Sequence, residues 1–509
     1  MSHGSAKFTI VAPRSKFYQG PFGRICGDLP PWSPNGVPPQ RMERFFLKLA
    51  NDKMVELPGK TPTEIAHDRA LINDLEEKFS SNIPAGYTYF GQFVDHDITF
   101  DPASSLMRQN DPNGLLNHRT PRLDLDNVYG RGPGASPHLY DEKDPDLPPG
   151  RAPEKFLIDK VPGTNLPDLP RNSNGRALIG DPRNDENAMV SQLQLAFLLA
   201  HNTLVDRARA AGVDAPFEAA RTTLRWLYQH IVWNDYIVRI TIDAVQKCAL
   251  SLKKTCDGRN QWKLQLTDVY KWRNNPFMPV EFSVAAYRFG HSMVRNAYQT
   301  NFPHRGFNVF APIFDNSPGS PPDPDDLRGF RPMKAANYIQ WDWFLKMESS
   351  RGPFPQMARK IDTKLANALA ALHEDEAGSS MNVLAFRNLL RGWRFELPSG
   401  TDVARKLGIK PIKIAQRNDS LWFYILREAE RQGGKRLGRV GSTIVCATFA
   451  GLLKGDPNSY LNIDPNWKPN DDPLLQNGVD NIDDPSWQLS SIIRLSGLPV
   501  SAGDFAAFN

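Results

Sequence analysis

The chain has 509 residues, 40% of them hydrophobic and 23% charged, which provides for a core and excludes wholesale disorder. A net charge of +5 makes no case for a nucleic-acid partner. Four cysteines, Cys26, Cys248, Cys256 and Cys446, are too few for a disulfide scaffold.

Cys248 and Cys256 are compatible either with a small closed loop or with two thiols. The opening run MSHGSAKFTIVAPRSKF holds too short an apolar stretch for a signal-peptide core, and no later run is expected to span a bilayer. The expectation is therefore a reduced protein, cytoplasmic by default, without a transmembrane segment.

In chain order, helical periodicity first appears at 63–79. The stretch FGQFVDHDITFD (90–101) follows, with a histidine between two acids in apolar surroundings. Read as a helix, it sets Gln92, Asp95 and His96 on one face, with Asp97 about 100° further round. Buried carboxylates there need a cation, a metal or a covalent use.

RTPRLDLDNVYG (119–130) alternates Thr120, Asp124 and Asp126. In an extended loop these project to one side, with the Arg122 carbonyl between them. That is an oxygen set suited to calcium, or else a solvated acidic turn. GDPRNDENAMV (180–190) opens the next helix, and Arg183 and Glu186 share a face there, alone no more than an intrahelical ion pair.

Helices are predicted at 188–210, 217–246 and 281–298. The last carries YRFGHSMV, with Arg288 three residues before His291. A histidine on such a helix reads by itself as a core residue, as His201 does at 188–210. Further helices are predicted at 362–374, 381–393, 420–432 and 438–454, with RQGGKRLGR (431–439) as a solvated linker.

Proline-rich irregular stretches at 28–39, 131–170 and 311–332 join these helices, and alternating strand patterns are scarce. The pattern predicts a mainly α protein, a single large helical domain with long irregular loops and little β. It consists of an N-terminal arm (1–60), a domain (61–465) and a C-terminal extension (466–509) packed on it.

Taken together, GQFVDHDITF, TPRLDLDNVYG, GDPRNDE, EFSVAAYRFGHS and FRNLLRG stand in the order of the animal-type haem peroxidases of the peroxidase–cyclooxygenase superfamily. The chain resembles that family over roughly 65–465, as a compact microbial-style relative. The resemblance implies haem b and calcium, with hydrogen peroxide and a small electron donor (a phenol, iodide, thiocyanate or bromide) as substrates, through an oxo-ferryl intermediate. His96 looks like the distal base, Arg183 the distal arginine and Gln92 the distal glutamine. His291 looks like the proximal iron ligand, with Asn388 as acceptor for its other ring nitrogen and Arg288 beside it for a haem propionate.

Asp95 and Glu186 match the carboxylates that form haem esters in mammalian members. Asp97, Thr120, Arg122, Asp124 and Asp126 match the calcium set. Asn187 stands where the family's strongest halide oxidant has a sulfonium-forming methionine. Asp126 stands where serine is common, and WRFE follows RNLLRG in place of the usual run. The alternatives are a fatty-acid dioxygenase of the cyclooxygenase type, which needs a tyrosine where this chain has Arg288, and a non-catalytic haem-bearing adhesion or structural protein.

Overall fold

The computed structural model describes residues 22–99, 119–272, 276–316, 324–372, 380–476 and 487–508. All of MSHGSAKFTIVAPRSKF and its continuation to residue 21, the end of FGQFVDHDITFD at Phe100 and Asp101, and the last two residues of 362–374 lie outside the described residues. Among those described, helices dominate, and the sheet consists of five two-stranded pairs such as Ser80–Pro84 with Met357–Arg359. All four cysteines are free thiols, so Cys248 and Cys256 close no loop.

After α1 (Met42–Leu49), the predicted helix 63–79 is two helices, α2 (Pro62–His67) and α3 (Arg69–Phe79). Thr61 and Glu64 form a capping box at the start of α2. Asp68 then leaves helical backbone and accepts the Leu71 amide at 3.0 Å, starting α3 in a new direction. α4 (Gly86–Ile98) is buried on nearly every side, and Gly86 is pressed so close to Leu345 that a Cβ would lie 2.7 Å from it.

A short α5 (Asp126–Tyr129) precedes α6, whose bounds, Ala188–Ala210, are those predicted. By length and composition α6 is apolar enough to cross a membrane, contrary to the expectation that no such run exists. It is instead a core helix, packed between α4, α7 (Pro216–Ile231) and, in the C-terminal extension, α16 (Leu489–Ser496). Phe93 of α4 stacks on Phe197 of α6 with ring centres 4.5 Å apart, and Tyr228 of α7 meets both rings edge-on.

The predicted helix 217–246 is interrupted. A wide turn at Val232–Tyr236 follows α7, then α8 (Ile237–Ile240), a break at Thr241, and α9 (Asp243–Ala249). The segment 281–298 also departs from an α-helix. One π turn, Glu281–Ala285, leads into a 3-10 helix, Ala286–Met293, and Ala285 adopts φ −129°, ψ −70° at the junction. The buried Glu281 carboxylate accepts the backbone amides of Ile25 and Cys26 at 3.0 and 2.8 Å, which anchors the N-terminal arm to this turn.

Beyond α10 (Phe302–Arg305), the predicted helix 362–374 is not formed; only Asn367–Ala370 is 3-10. Its backbone is already engaged elsewhere. Leu365 exchanges hydrogen bonds with Met54 and Glu56, and the Asn367 side chain binds the carbonyls of Leu57 and Lys60. The remaining helices are α11 (Leu384–Arg394), α12 (Gly400–Lys406), α13 (Leu421–Glu430), α14 (Arg439–Gly455), α15 (Tyr460–Ile463) and α16 (Leu489–Ser496). The 431–438 linker joins α13 to α14 as expected.

Candidate active site

α4 lies between two segments that the sequence separates widely. One is the 3-10 turn Pro182–Asp185 before α6, and the other is the 3-10 helix Ala286–Met293. The Tyr287 hydroxyl donates to the Gly91 carbonyl at 3.3 Å and ties α4 to the latter.

On the first side, His96 is buried with Nδ1 2.7 Å from Oδ1 of Asn184. Burial, reinforced by the Arg183 guanidinium, lowers its pKa to about 3, so the ring is neutral. Asn184 was not among the residues singled out in the sequence; GDPRNDE shows an amide beside Arg183 but nothing about its reach. Arg183 is bound by Asp181, with Nε 3.1 Å from Oδ1 and Nη2 2.7 Å from Oδ2. The same Nη2 donates to the carbonyls of His96 and Thr99 at 3.1 and 2.7 Å.

Asp181 is fully buried. Although burial opposes it, the hydrogen bonds and charge of Arg183, with the charge of Arg119, hold its carboxyl well below the usual range. Gln92 is held at both ends of its amide: Nε2 donates to Glu186 Oε1, and Oε1 accepts from Asn187 Nδ2 at 3.1 Å. Asn187 also caps α6 by accepting the Val190 amide at 3.0 Å, which is a structural reason for asparagine at that position. Asp95 accepts from the Thr99 hydroxyl at 3.1 Å. Burial raises its pKa against the pull of Arg288 and Arg183.

On the other side, the 3-10 geometry eclipses residues three apart, so Arg288 and His291 share a face more closely than an α-helix would allow. Burial, with the charges of Arg288 and Arg387, lowers the His291 pKa to about 3. Asn388 of α11 reaches His291 as expected, but with the opposite polarity: its Nδ2 donates to Nδ1 at 2.8 Å, while its Oδ1 faces Arg288 Nη1 at 3.5 Å. Donation to Nδ1 leaves the proton on Nε2. A half-turn of the amide, which exchanges O and N in place, presents an acceptor to Nδ1–H and frees Nε2 as a ligand.

A third group sits behind α4. Asp97, Asp124 and Asp126 bring carboxylate oxygens within 4.8 Å of one another. Asp97 is wholly buried and neither of its oxygens has a hydrogen-bond partner. The Thr120 hydroxyl donates to Asp124 at 2.7 Å, and Arg119 Nη1 to Asp126 at 3.1 Å. Burial and mutual repulsion raise Asp97 well above the carboxylate range, and burial raises Asp126 to about 8.

The loop is not extended as expected. The Arg122 amide turns back to the Thr120 carbonyl at 2.8 Å, Leu125 is left-handed at φ 60°, and Asp126 begins α5. The Arg122 side chain leans toward Asp456, 3.9 Å away. His201, by contrast, has both ring nitrogens occupied, Nδ1 by the Tyr129 hydroxyl at 3.0 Å and Nε2 by the Glu154 carbonyl at 2.9 Å. It is a core residue.

The site thus holds a buried neutral histidine on α4, a second neutral, half-buried histidine on the 3-10 helix packed against α4, a nearby arginine and an acidic cluster. Residues 102–417 match the model of the animal haem peroxidase family, and the chain belongs to that family. Gln92, Asp95 and His96 lie just before the matched span. The chain is 25% identical over 363 residues to chorion peroxidase of Drosophila melanogaster, covering 66% of this chain and 41% of that protein. It is 28% identical over 200 residues to human thyroid peroxidase, covering 36% and 20% respectively. The chain thus spans less than half the length of these curated relatives.

Among solved structures, it resembles peroxidase A from Dictyostelium discoideum with a TM-score of 0.54 at 16% identity, over 87% of this chain and 90% of that one. It also resembles a fatty acid alpha-dioxygenase from Oryza sativa with a TM-score of 0.57 at 14% identity, over 96% and 81%. At these identities the likeness is one of fold.

Proposed function

We propose that the chain is a haem peroxidase that uses hydrogen peroxide to oxidise small donors such as phenols, iodide, thiocyanate or bromide. The observation that carries this reading is His96, buried and neutral, with Gln92 on the same face and the Arg183 cation beside it. A scaffold has no need of an uncharged base beside a fixed cation.

The residues fit a haem. Gln92, Asp95, Arg183, Glu186, Arg288 and His291 are each half-buried, neither sealed in the core nor exposed. A Cβ at Gly290, next to His291, would meet no atom within 4 Å. His291 would hold the iron through Nε2, Asn388 would orient it and Arg288 would pair with a propionate. Bound there, the haem would supply a redox-active metal that accepts oxidising equivalents from peroxide and passes them on by taking electrons from the donor.

The chain's own residues manage protons and charge. His96 would take a proton from one oxygen of peroxide and return it to the other, departing oxygen. Arg183, from where Asp181 holds it, stabilises the negative charge that develops as the O–O bond lengthens. Gln92, fixed at both ends, holds water or a halide near His96. Asp95 and Glu186 would form ester links to haem methyl groups. Haem in peroxide-treated protein should then resist acid-solvent extraction, and become extractable in the Asp95→Val, Glu186→Gln double variant.

The acidic cluster fits calcium. Asp97 is buried with both oxygens unpartnered, and Asp124 beside it has one unpartnered oxygen, which is costly unless the cluster is protonated or shares a cation. We assign it Asp97, Thr120, Arg122, Asp124 and Asp126, with the Arg122 carbonyl as a ligand.

The dioxygenase reading draws on the same fold, so the residues decide between them. Arg288, not a tyrosine, stands three before His291, and Tyr287 gives its hydroxyl to Gly91. Steady-state assays of the haem-loaded protein with guaiacol, iodide and linoleate separate the readings. Guaiacol or iodide turnover is expected. Linoleate oxygenation alone would favour the dioxygenase, and no turnover the scaffold.

A further inference from the structure

We infer that Asn184, oriented by Gln194, is the positioning residue that sets the tautomer of His96. The inference deepens the peroxidase reading above and rests on His96 being its base. Asn184 and Gln194 are both fully buried, and they form a two-step relay. Asn184 Nδ2 donates to Gln194 Oε1 at 2.7 Å, so the other end of the Asn184 amide, Oδ1, faces His96 Nδ1 at 2.7 Å.

A carbonyl oxygen only accepts, so Nδ1 carries the hydrogen and the lone pair falls to Nε2. A base needs that lone pair; the other tautomer would offer an N–H where a proton must be received. The relay draws on three separate elements: His96 from α4, Asn184 from the turn Pro182–Asp185, and Gln194 from the second turn of α6.

The sense of the relay depends on its far end, since Gln194 Nε2 has no hydrogen-bond partner. Were Gln194 to turn by 180°, Nε2 would face Asn184 and the Asn184 amide would turn in response. Nδ2 would then point at His96 and the proton would move to Nε2. Residue 194 must therefore present an acceptor. Glutamate offers one without ambiguity, and leucine offers none.

Cyanide and peroxide binding to the haem-loaded full-length protein, followed by stopped flow, tests this, because each ligand must give up a proton before it binds as an anion. Asn184→Leu and Gln194→Leu should each slow both association rates about tenfold or more, given the 10²–10⁴-fold typical of a positioned base. The ferric haem spectrum and thermal midpoint should hold within a few degrees. Asn184→Asp and Gln194→Glu, which keep the acceptors, should recover most of the lost rate.

His96→Ala is the reference. If it associates with both ligands as fast as the parent, the base assignment itself falls. If it is slow while both leucine variants match the parent, the base stands and the relay inference is overturned. Equal slowing by the leucine variants and their acceptor-bearing counterparts would also overturn it, since that is the outcome of a packing role.

Discussion

At the scale of single residues, two histidines that look alike in sequence are distinguished by their partners. His201 has both nitrogens satisfied inside the core, whereas half-buried His291 has a hydrogen-bond partner, Asn388, at Nδ1 and none at Nε2 among the described residues. His291→Ala is expected to abolish haem binding, read by the absorbance of the reconstituted protein. His201→Ala should keep haem and lose stability by roughly 2 kcal/mol, because it strands the Tyr129 hydroxyl.

A different residue governs pH. Burial beside Glu430 and Glu56 lifts Asp362 to about 7, while its Oδ1 accepts the Lys364 amide at 2.7 Å. With the folded pKa above the unfolded one, the folded state keeps a proton that the unfolded chain releases. This contribution is full below about pH 4 and is lost as pH climbs through about 7. Asp362→Asn keeps the acceptor and removes the titration. It should raise the thermal midpoint at pH 8 relative to the parent and narrow that gap toward pH 4.

At the scale of elements, the acidic turn 119–126 and α4 share one cluster. Asp124→Ala should therefore cancel the rise in thermal midpoint that calcium gives chelator-treated parent protein, as calorimetry would show. Asp126 also binds Arg119, which reaches Asp181, which in turn holds Arg183, so a cation bound at the cluster should stiffen Arg183 as well.

How far elements were legible in the sequence followed from how locally they are determined. α6 could be read to the residue because its cap, Asn187, and its apolar face are both local. The turn at 281–293 could not, because Glu281 is engaged by amides some 255 residues away. Nor could the irregular backbone at 365–372, whose hydrogen bonds go to 54–60. The ordered motifs brought Gln92, Asp95, His96, Arg183 and Glu186 to one place. The spacing of residues held no sign of Asn184 and Gln194, because an amide's value there depends on which end faces the ring.

At the scale of the whole molecule, the C-terminal extension is tied to the site helix through one carboxylate. Asp235 accepts from the Tyr87 hydroxyl of α4 at 2.6 Å, Arg239 at 2.6 Å and the Leu489 amide at the start of α16 at 3.0 Å. Asp235→Ala leaves these donors without their acceptor and should cost about 3 kcal/mol, with earlier proteolysis around α16. A variant as stable and protease-resistant as the parent would show that α6 packing alone holds the extension.

The wide spacing of the site residues, from Gln92 to Asn388, bears on how the protein is made. Synthesis proceeds from the N-terminus, so α4 and the Arg183 turn leave the ribosome well before His291 and Asn388 exist. A nascent chain cannot grip the prosthetic group from both sides, and α16, which packs along α6, arrives later still. Haem should therefore be acquired only after the chain through Asn388 has been made. Cells short of haem should accumulate full-length, cofactor-free protein rather than truncated or stalled fragments.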